Sequence, residues 1–141
     1  MLLVRALFFM LAFAVIGVAA AEDVSPADRS EFQRIIQSQI QAFNADDGAA
    51  AYAFAAPGIR QMFPTPDAFM GMVKKGYAPV YRQKSFRFGD TEMKGARPVQ
   101  QVTIVDAEGR TWTAYYAFEK QSDGSWLISG CVLQRIEGAD V

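Results

Sequence analysis

Thr111-Trp112-Thr113-Ala114-Tyr115-Tyr116-Ala117-Phe118-Glu119 is the stretch that decides the fold. Its β-branched and aromatic content reads as a strand, and strand side chains alternate between two faces. Trp112, Ala114, Tyr116 and Phe118 then share one face, while Thr113, Tyr115, Ala117 and Glu119 share the other. Both faces carry aromatic rings. On either side stand compact turns containing glycine, Asp106-Ala107-Glu108-Gly109 and Gln121-Ser122-Asp123-Gly124-Ser125. Turns this short join antiparallel neighbours far more readily than parallel ones. Beyond them, Val99 to Val105 and Trp126 to Ile136 read as further strands, and Lys84 to Gly89 as an earlier one around Phe86 and Phe88. In the last strand the alternation puts Trp126, Ile128 and Val132 on one side and Leu127, Cys131 and Leu133 on the other.

Upstream of these strands the period becomes helical. Ser25-Pro26-Ala27-Asp28 supplies an N-cap, a first-turn proline and an acid, and Phe32, Ile36, Ile40 and Phe43 recur at helical spacing. This predicts a helix from about Pro26 to Asn44. Asp46-Asp47-Gly48 makes a turn and a new cap, after which Ala49 to Ala56 is expected as a short helix stopped by Pro57-Gly58. Thr65-Pro66-Asp67 starts a third helix with Phe69, Met72 and Val73 as its buried stripe, ending at Lys74-Lys75-Gly76. Tyr77 to Tyr81 connects helix to sheet. Helices first and an antiparallel sheet afterwards is an α+β order: N-terminal helices packed on one face of a curved sheet of about four strands. The second apolar sheet face calls for a partner, most simply a second copy of the chain, unless the sheet curls enough to be covered by its own helices and loops.

The chain has 141 residues, no His and a single Cys. Zinc sites built on His or Cys, Ser-His-Asp and Cys-His nucleophile pairs and an internal disulfide are thereby excluded. With 14 Lys and Arg against 15 Asp and Glu the charge is balanced, so there is no electrostatic footprint for nucleic acid. Met1 to Ala21 reads as a secretory signal peptide: Arg5, the apolar run Leu7 to Val18, then Ala19-Ala20-Ala21 before Glu22. The uncharged stretch Ala6 to Ala21 is shorter than the roughly 20 residues that span a bilayer. No cysteine stands at the cleavage site to carry a lipid. The expectation is a periplasmic or secreted product, residues 22–141, forming one domain with no membrane attachment after cleavage. Cys131 lies in the apolar run Trp126 to Leu133 and reads either as a small buried hydrophobe or as a reactive or intermolecular thiol.

Four ordered motifs carry a family resemblance. They are Ala42-Phe43-Asn44-Ala45-Asp46-Asp47, Phe54-Ala55-Ala56-Pro57-Gly58-Ile59, Met72 to Val80, and Asp123 to Leu133. Together they resemble an exported bacterial family of unknown function. That resemblance implies the cone-shaped fold of nuclear transport factor two, shared with ketosteroid isomerase and polyketide cyclases. It implies no particular activity, since one fold hosts many functions.

Candidate chemistry is sparse. Asp46 and Asp47 fit helix capping, Asp106, Glu108 and Asp123 lie in turns, and Asp90, Glu92 and Glu119 sit near strand ends where solvent suits them. No catalytic residue, metal ligand or cofactor is assigned. The composition favours a non-catalytic module that binds a small apolar or anionic ligand or another protein. The alternative is a small isomerase- or cyclase-like enzyme using a Tyr or carboxylate inside the cone. The residues proposed for a pocket are Tyr77, Tyr81, Arg82, Gln101 and Tyr115. Gln101 stands in the row Val99, Gln101, Thr103 and Val105, where a buried amide must find a loop backbone or a ligand. Tyr77, Tyr81 and Arg82 lie where the helix-to-sheet connection passes the cone mouth; they either grip an anionic or aromatic ligand or serve as packing and a surface charge. Tyr115 and Tyr116 point to opposite faces, so at most one of them lines a given pocket.

Overall fold

A computed structural model describes residues 23–138, so the signal-peptide reading of Met1 to Ala21 falls outside the described residues. Helix α1 runs Pro26–Asn44, with Ser25 as N-cap accepting from the Asp28 amide and Pro26 in the first turn. Its apolar stripe buries Phe32, Ile35, Ile36, Ile40 and Phe43. Helix α4, Pro66–Gly76, begins in the same way, with the Thr65 hydroxyl accepting from the Ala68 amide and Lys74 and Lys75 in its last turn. Among the described residues no helix is long and apolar enough to cross a membrane.

Between these two, the expected single helix from Ala49 to Ala56 divides. Helix α2 spans only Gly48–Tyr52, and α3, Pro57–Met62, starts at the proline that was expected to stop a helix. The physical reason is competition from the sheet. The Ala56 amide donates to the Ile128 carbonyl, and the Ile128 amide donates to the Phe54 carbonyl, both at 2.8 Å, so this backbone pairs with a strand instead of continuing a helix. Pro57 has no amide proton to offer and suits a first turn. A further short helix, α5 at Ala78–Tyr81, occupies the stretch read as a plain connection. In α4 the buried stripe is Phe69, Met70 and Val73, with Met72 only half-buried.

The strands are β1 Ser85–Lys94, β2 Arg97–Val105, β3 Thr111–Lys120 and β4 Trp126–Arg135. They form one antiparallel sheet in the order β1-β2-β3-β4. Gly109 and Gly124 take positive φ in the two tight turns around β3, a conformation glycine enters without steric cost. Strand β1 continues past Gly89 because a bulge absorbs Gly89 and Asp90. The buried side chain of Gln100 secures it, donating to the Gly89 carbonyl at 2.9 Å and accepting from Thr91.

A second irregularity re-aims β4. Ala117 pairs with Gly130 and Phe118 with Ile128, leaving Ser129 extra. Past this bulge Cys131 faces Tyr116 and Leu133 faces Ala114, so both join Ile128 on the helix-covered face, while Val132 turns outward. The expected grouping of Val132 with Ile128 is thereby corrected. The core lies between α1 and this inner face: Phe32 stacks on Phe118 at 4.3 Å between ring centroids and meets Trp126 edge-on at 4.9 Å. Val102, Ile104, Ala114, Tyr116 and Ile128 complete it.

Candidate functional site

Helices α1, α3 and α4 meet the inner sheet face without filling the space beside the edge strand β4. A cavity of about 370 Å³ remains. Its helical wall is Phe43, Ile59, Phe63, Phe69 and Val73, and its sheet wall Tyr116, Ile128 and Cys131. Met62 also lines it, yet it is 69% exposed, which puts it at the solvent side as a rim. Ligand sites are typically concave and mostly apolar with a few placed polar groups, and this cavity is near the lower end of the usual size range. Among the described residues that line it, none carries a charged side chain.

The polar groups are few and mostly committed. Tyr77 Oη donates to the Cys131 carbonyl at 2.9 Å, tying the end of α4 to the free edge of the sheet. Burial raises the Tyr77 phenol, with a smaller contribution from Cys131. Burial likewise raises Tyr116 well above the usual phenol range, and it pushes the Cys131 thiol up to about 12 against a smaller opposing effect of Tyr116. All three remain protonated near neutral pH. Gln39, on the apolar stripe of α1, is buried and donates from Nε2 to the Ala51 carbonyl at 3.2 Å. Among the described residues no group of three or more His, Cys, Asp or Glu side chains is placed to hold a metal ion.

Of the five residues proposed from sequence, the structure brings only Tyr77 to the cavity wall. Tyr81 and Arg82 instead join Asp46 in an exposed cluster. Tyr81 donates its hydroxyl to Asp46, and Arg82 donates from Nη2 to both Asp46 carboxylate oxygens at 2.8 Å and from Nη1 to the Phe43 carbonyl at 2.8 Å. The guanidinium also lies 3.9 Å from the Tyr81 ring centroid. Hydrogen bonds from Tyr81 and then Arg82 hold the Asp46 carboxyl below its usual range. Asp46 has φ +52, so the last residues of α1 turn back under a clamp that joins them to α5. Asp47 is the cap of α2, accepting from the Ala50 amide at 3.1 Å.

Gln101 stands half-buried on the outer face and donates to Glu92 Oε1 at 3.0 Å; the fully buried amide of β2 is its neighbour Gln100. Tyr115, also on the outer face, donates to Gln134 at 3.0 Å. Arg60 donates to the carbonyls of Ala55, Tyr52 and Ala53 and so closes the end of α2. Gln39 was the overlooked residue of the cavity, and its signal was present: an amide three residues after Ile36, on the same helical face as Ile40 and Phe43.

Asp106 is a different case. The residue is 2% exposed, and its carboxylate accepts from the amides of Glu108 and Arg110, from Arg110 Nε and from Trp112 Nε1, all between 2.8 and 3.0 Å. Burial works to raise its pKa, but these donors outweigh it and hold the carboxyl at about 2. It organises the β2–β3 turn and is not among the residues that line the cavity.

The chain matches, over residues 25–141, the family described as "Domain of unknown function (DUF4864)". No curated protein and no solved structure matches it.

Proposed function

The chain belongs to the DUF4864 family, a domain of unknown function, and from that premise we propose that it is a non-catalytic module holding a small, mostly apolar molecule between its helices and its sheet. One observation carries this reading: a largely hydrophobic cavity of about 370 Å³ with no charged side chain among its described lining residues and with exposed Met62 at its rim. The rival reading, a small isomerase or cyclase using a Tyr or carboxylate inside the cone, would be favoured by a carboxylate beside a tyrosine in the cavity. Among the described residues neither Asp nor Glu lines the cavity, and its phenols and thiol stay neutral, which favours binding over acid–base catalysis. The order of helices followed by an antiparallel sheet supports a cone of the nuclear-transport-factor-two kind. The leader read at Met1 to Ala21 supports export to the periplasm or beyond.

The protein is isolated from its own extracytoplasmic fraction and weighed by native mass spectrometry. A retained small molecule is expected, and it is lost in Ile59→Trp, where a larger ring at a half-buried wall position plugs the cavity. An intact chain with no adduct, together with no uptake of an apolar fluorescent dye blocked by that substitution, defeats the reading.

A second copy of the chain is proposed as partner for the outer sheet face. No helix of the described residues covers it, and it presents Tyr115, Ala117 and the exposed Val132 side by side across β3 and β4. Light scattering after size exclusion reads the mass; a strict monomer at high micromolar concentration overturns this proposal.

A further inference from the structure

Gln39 is 4% exposed, and only half of its amide is satisfied by protein. Nε2 donates to the Ala51 carbonyl, while Oε1 has no protein partner among the described residues. No side-chain nitrogen or oxygen among them is both sealed from solvent and unpaired, so Oε1 is reached from the cavity that Gln39 lines. A ligand that fills this hollow takes Oε1 out of reach of solvent, so it must supply a donor of its own or leave the carbonyl unsatisfied in apolar surroundings at a cost in free energy.

The rest of the wall narrows what the ligand is. The Tyr77 hydroxyl already donates to Cys131. With no Lys or Arg among the described lining residues, a carboxylate or phosphate entering here would lose its hydration without gaining a counter-charge and would meet Oε1 acceptor to acceptor. An ammonium group would find Oε1 but no carboxylate to balance its charge.

We propose, resting on the reading of this cavity as a ligand site, that its ligand is a neutral molecule with a hydrocarbon body and one hydrogen-bond donor, in the simplest case an apolar alcohol. Its O–H donates to Gln39 Oε1 while its hydrocarbon lies against Phe43, Phe69 and Val73. Gln39 is therefore the residue that selects for a donor, and the aromatic and aliphatic wall supplies the affinity.

The test compares n-octanol, its isomer heptyl methyl ether and octanoate, titrated into the wild-type chain by calorimetry. The two isomers have the same atoms and nearly the same apolar surface, but only the alcohol donates. The alcohol is expected to bind about fivefold tighter than the ether, the effect of one net hydrogen bond, and octanoate weakest. In Gln39→Met, which keeps the length and removes the acceptor, the preference for the alcohol disappears while the ether still binds. Equal binding of alcohol and ether to the wild type overturns the proposal and leaves the cavity reading standing. Octanoate binding as tightly as the alcohol overturns it as well. Failure of all three to bind defeats both. Because the wild-type isomer pair decides by itself, the result does not depend on Gln39→Met folding.

Discussion

The Tyr77 hydroxyl, at the end of α4, donates to the backbone carbonyl of Cys131 on the free edge of β4, at 2.9 Å and across 54 positions of sequence. One side chain thus binds the last helix wall of the cavity to the sheet. An edge strand exposes unpaired carbonyls that water or another chain competes for, and this bond occupies one of them. Tyr77→Phe is expected to lower stability by about 0.5–1.5 kcal/mol, toward the lower end because the freed carbonyl sits at an edge that water reaches. Urea denaturation measures the loss, and faster amide exchange along Cys131 to Leu133 locates it. Unchanged stability together with unchanged exchange would show that the bond does not hold the edge.

Asp106 makes stability depend on acid pH. Its carboxyl titrates at about 2 when folded, below the roughly 3.9 of an unfolded aspartate. A group whose folded pKa is depressed stabilises the fold fully above its unfolded value, and that contribution fades as pH falls from about 4 through about 2. In Asp106→Asn, urea midpoints over this window should fall less steeply than in the wild type. The residual slope comes from Glu31, Asp46 and Asp123, whose carboxyls are also held low by hydrogen bonds. Identical slopes for the two proteins would remove Asp106 from the account. Above about pH 5, Asp106→Ala costs about 1–3 kcal/mol, because the Trp112 indole and two turn amides lose their acceptor.

Cys131 is expected to be inert. With burial pushing its thiol up to about 12, almost no thiolate is present at mildly alkaline pH, and the thiolate is the reacting species. A disulfide reagent near pH 8 should label the folded chain more than about 100-fold more slowly than the chain unfolded in urea. Equal rates would return this cysteine to the reactive class.

Gly48 opens α2 against α4. A Cβ built there would lie 2.9 Å from Met70 Cγ, closer than side chains tolerate. Gly48→Ala is therefore expected to destabilise by about 1–3 kcal/mol through overpacking. Combined with Met70→Ala the two losses should sum to less than their separate values, since shortening Met70 removes the clash. Strict additivity in a double-mutant cycle would contradict the contact.

Local signals were sufficient where neighbours in sequence decide the structure. Ser25-Pro26 and Thr65-Pro66 start helices through bonds that close within three residues, and Gly109 and Gly124 make their turns by their own φ. The alternation Trp112, Ala114, Tyr116, Phe118 picks out the covered sheet face because strand geometry has a period of two. The same alternation misreads β4, where the extra residue Ser129 moves Cys131 and Leu133 to the inner face; the neighbouring Gly130, isolated in a strand run, is the local sign of a bulge, but it does not say which way the register shifts.

By itself the sequence determined the α+β order, the α1 stripe that builds the core, and the absence of histidine chemistry and internal disulfides. Tertiary structure alone decided where the candidate side chains end up. Whether Tyr81 and Arg82 face a ligand or clamp Asp46, whether Ala55 and Ala56 continue a helix or pair with Ile128, and whether Gln101 or Gln39 meets the cavity are all questions of which distant group arrives first. Each answer depends on contacts between residues separated by about ten to seventy positions. Helical and strand periods say which way a side chain points. Only packing says what waits there, and here it leaves Gln39 at an apolar hollow that no periodicity marks as empty.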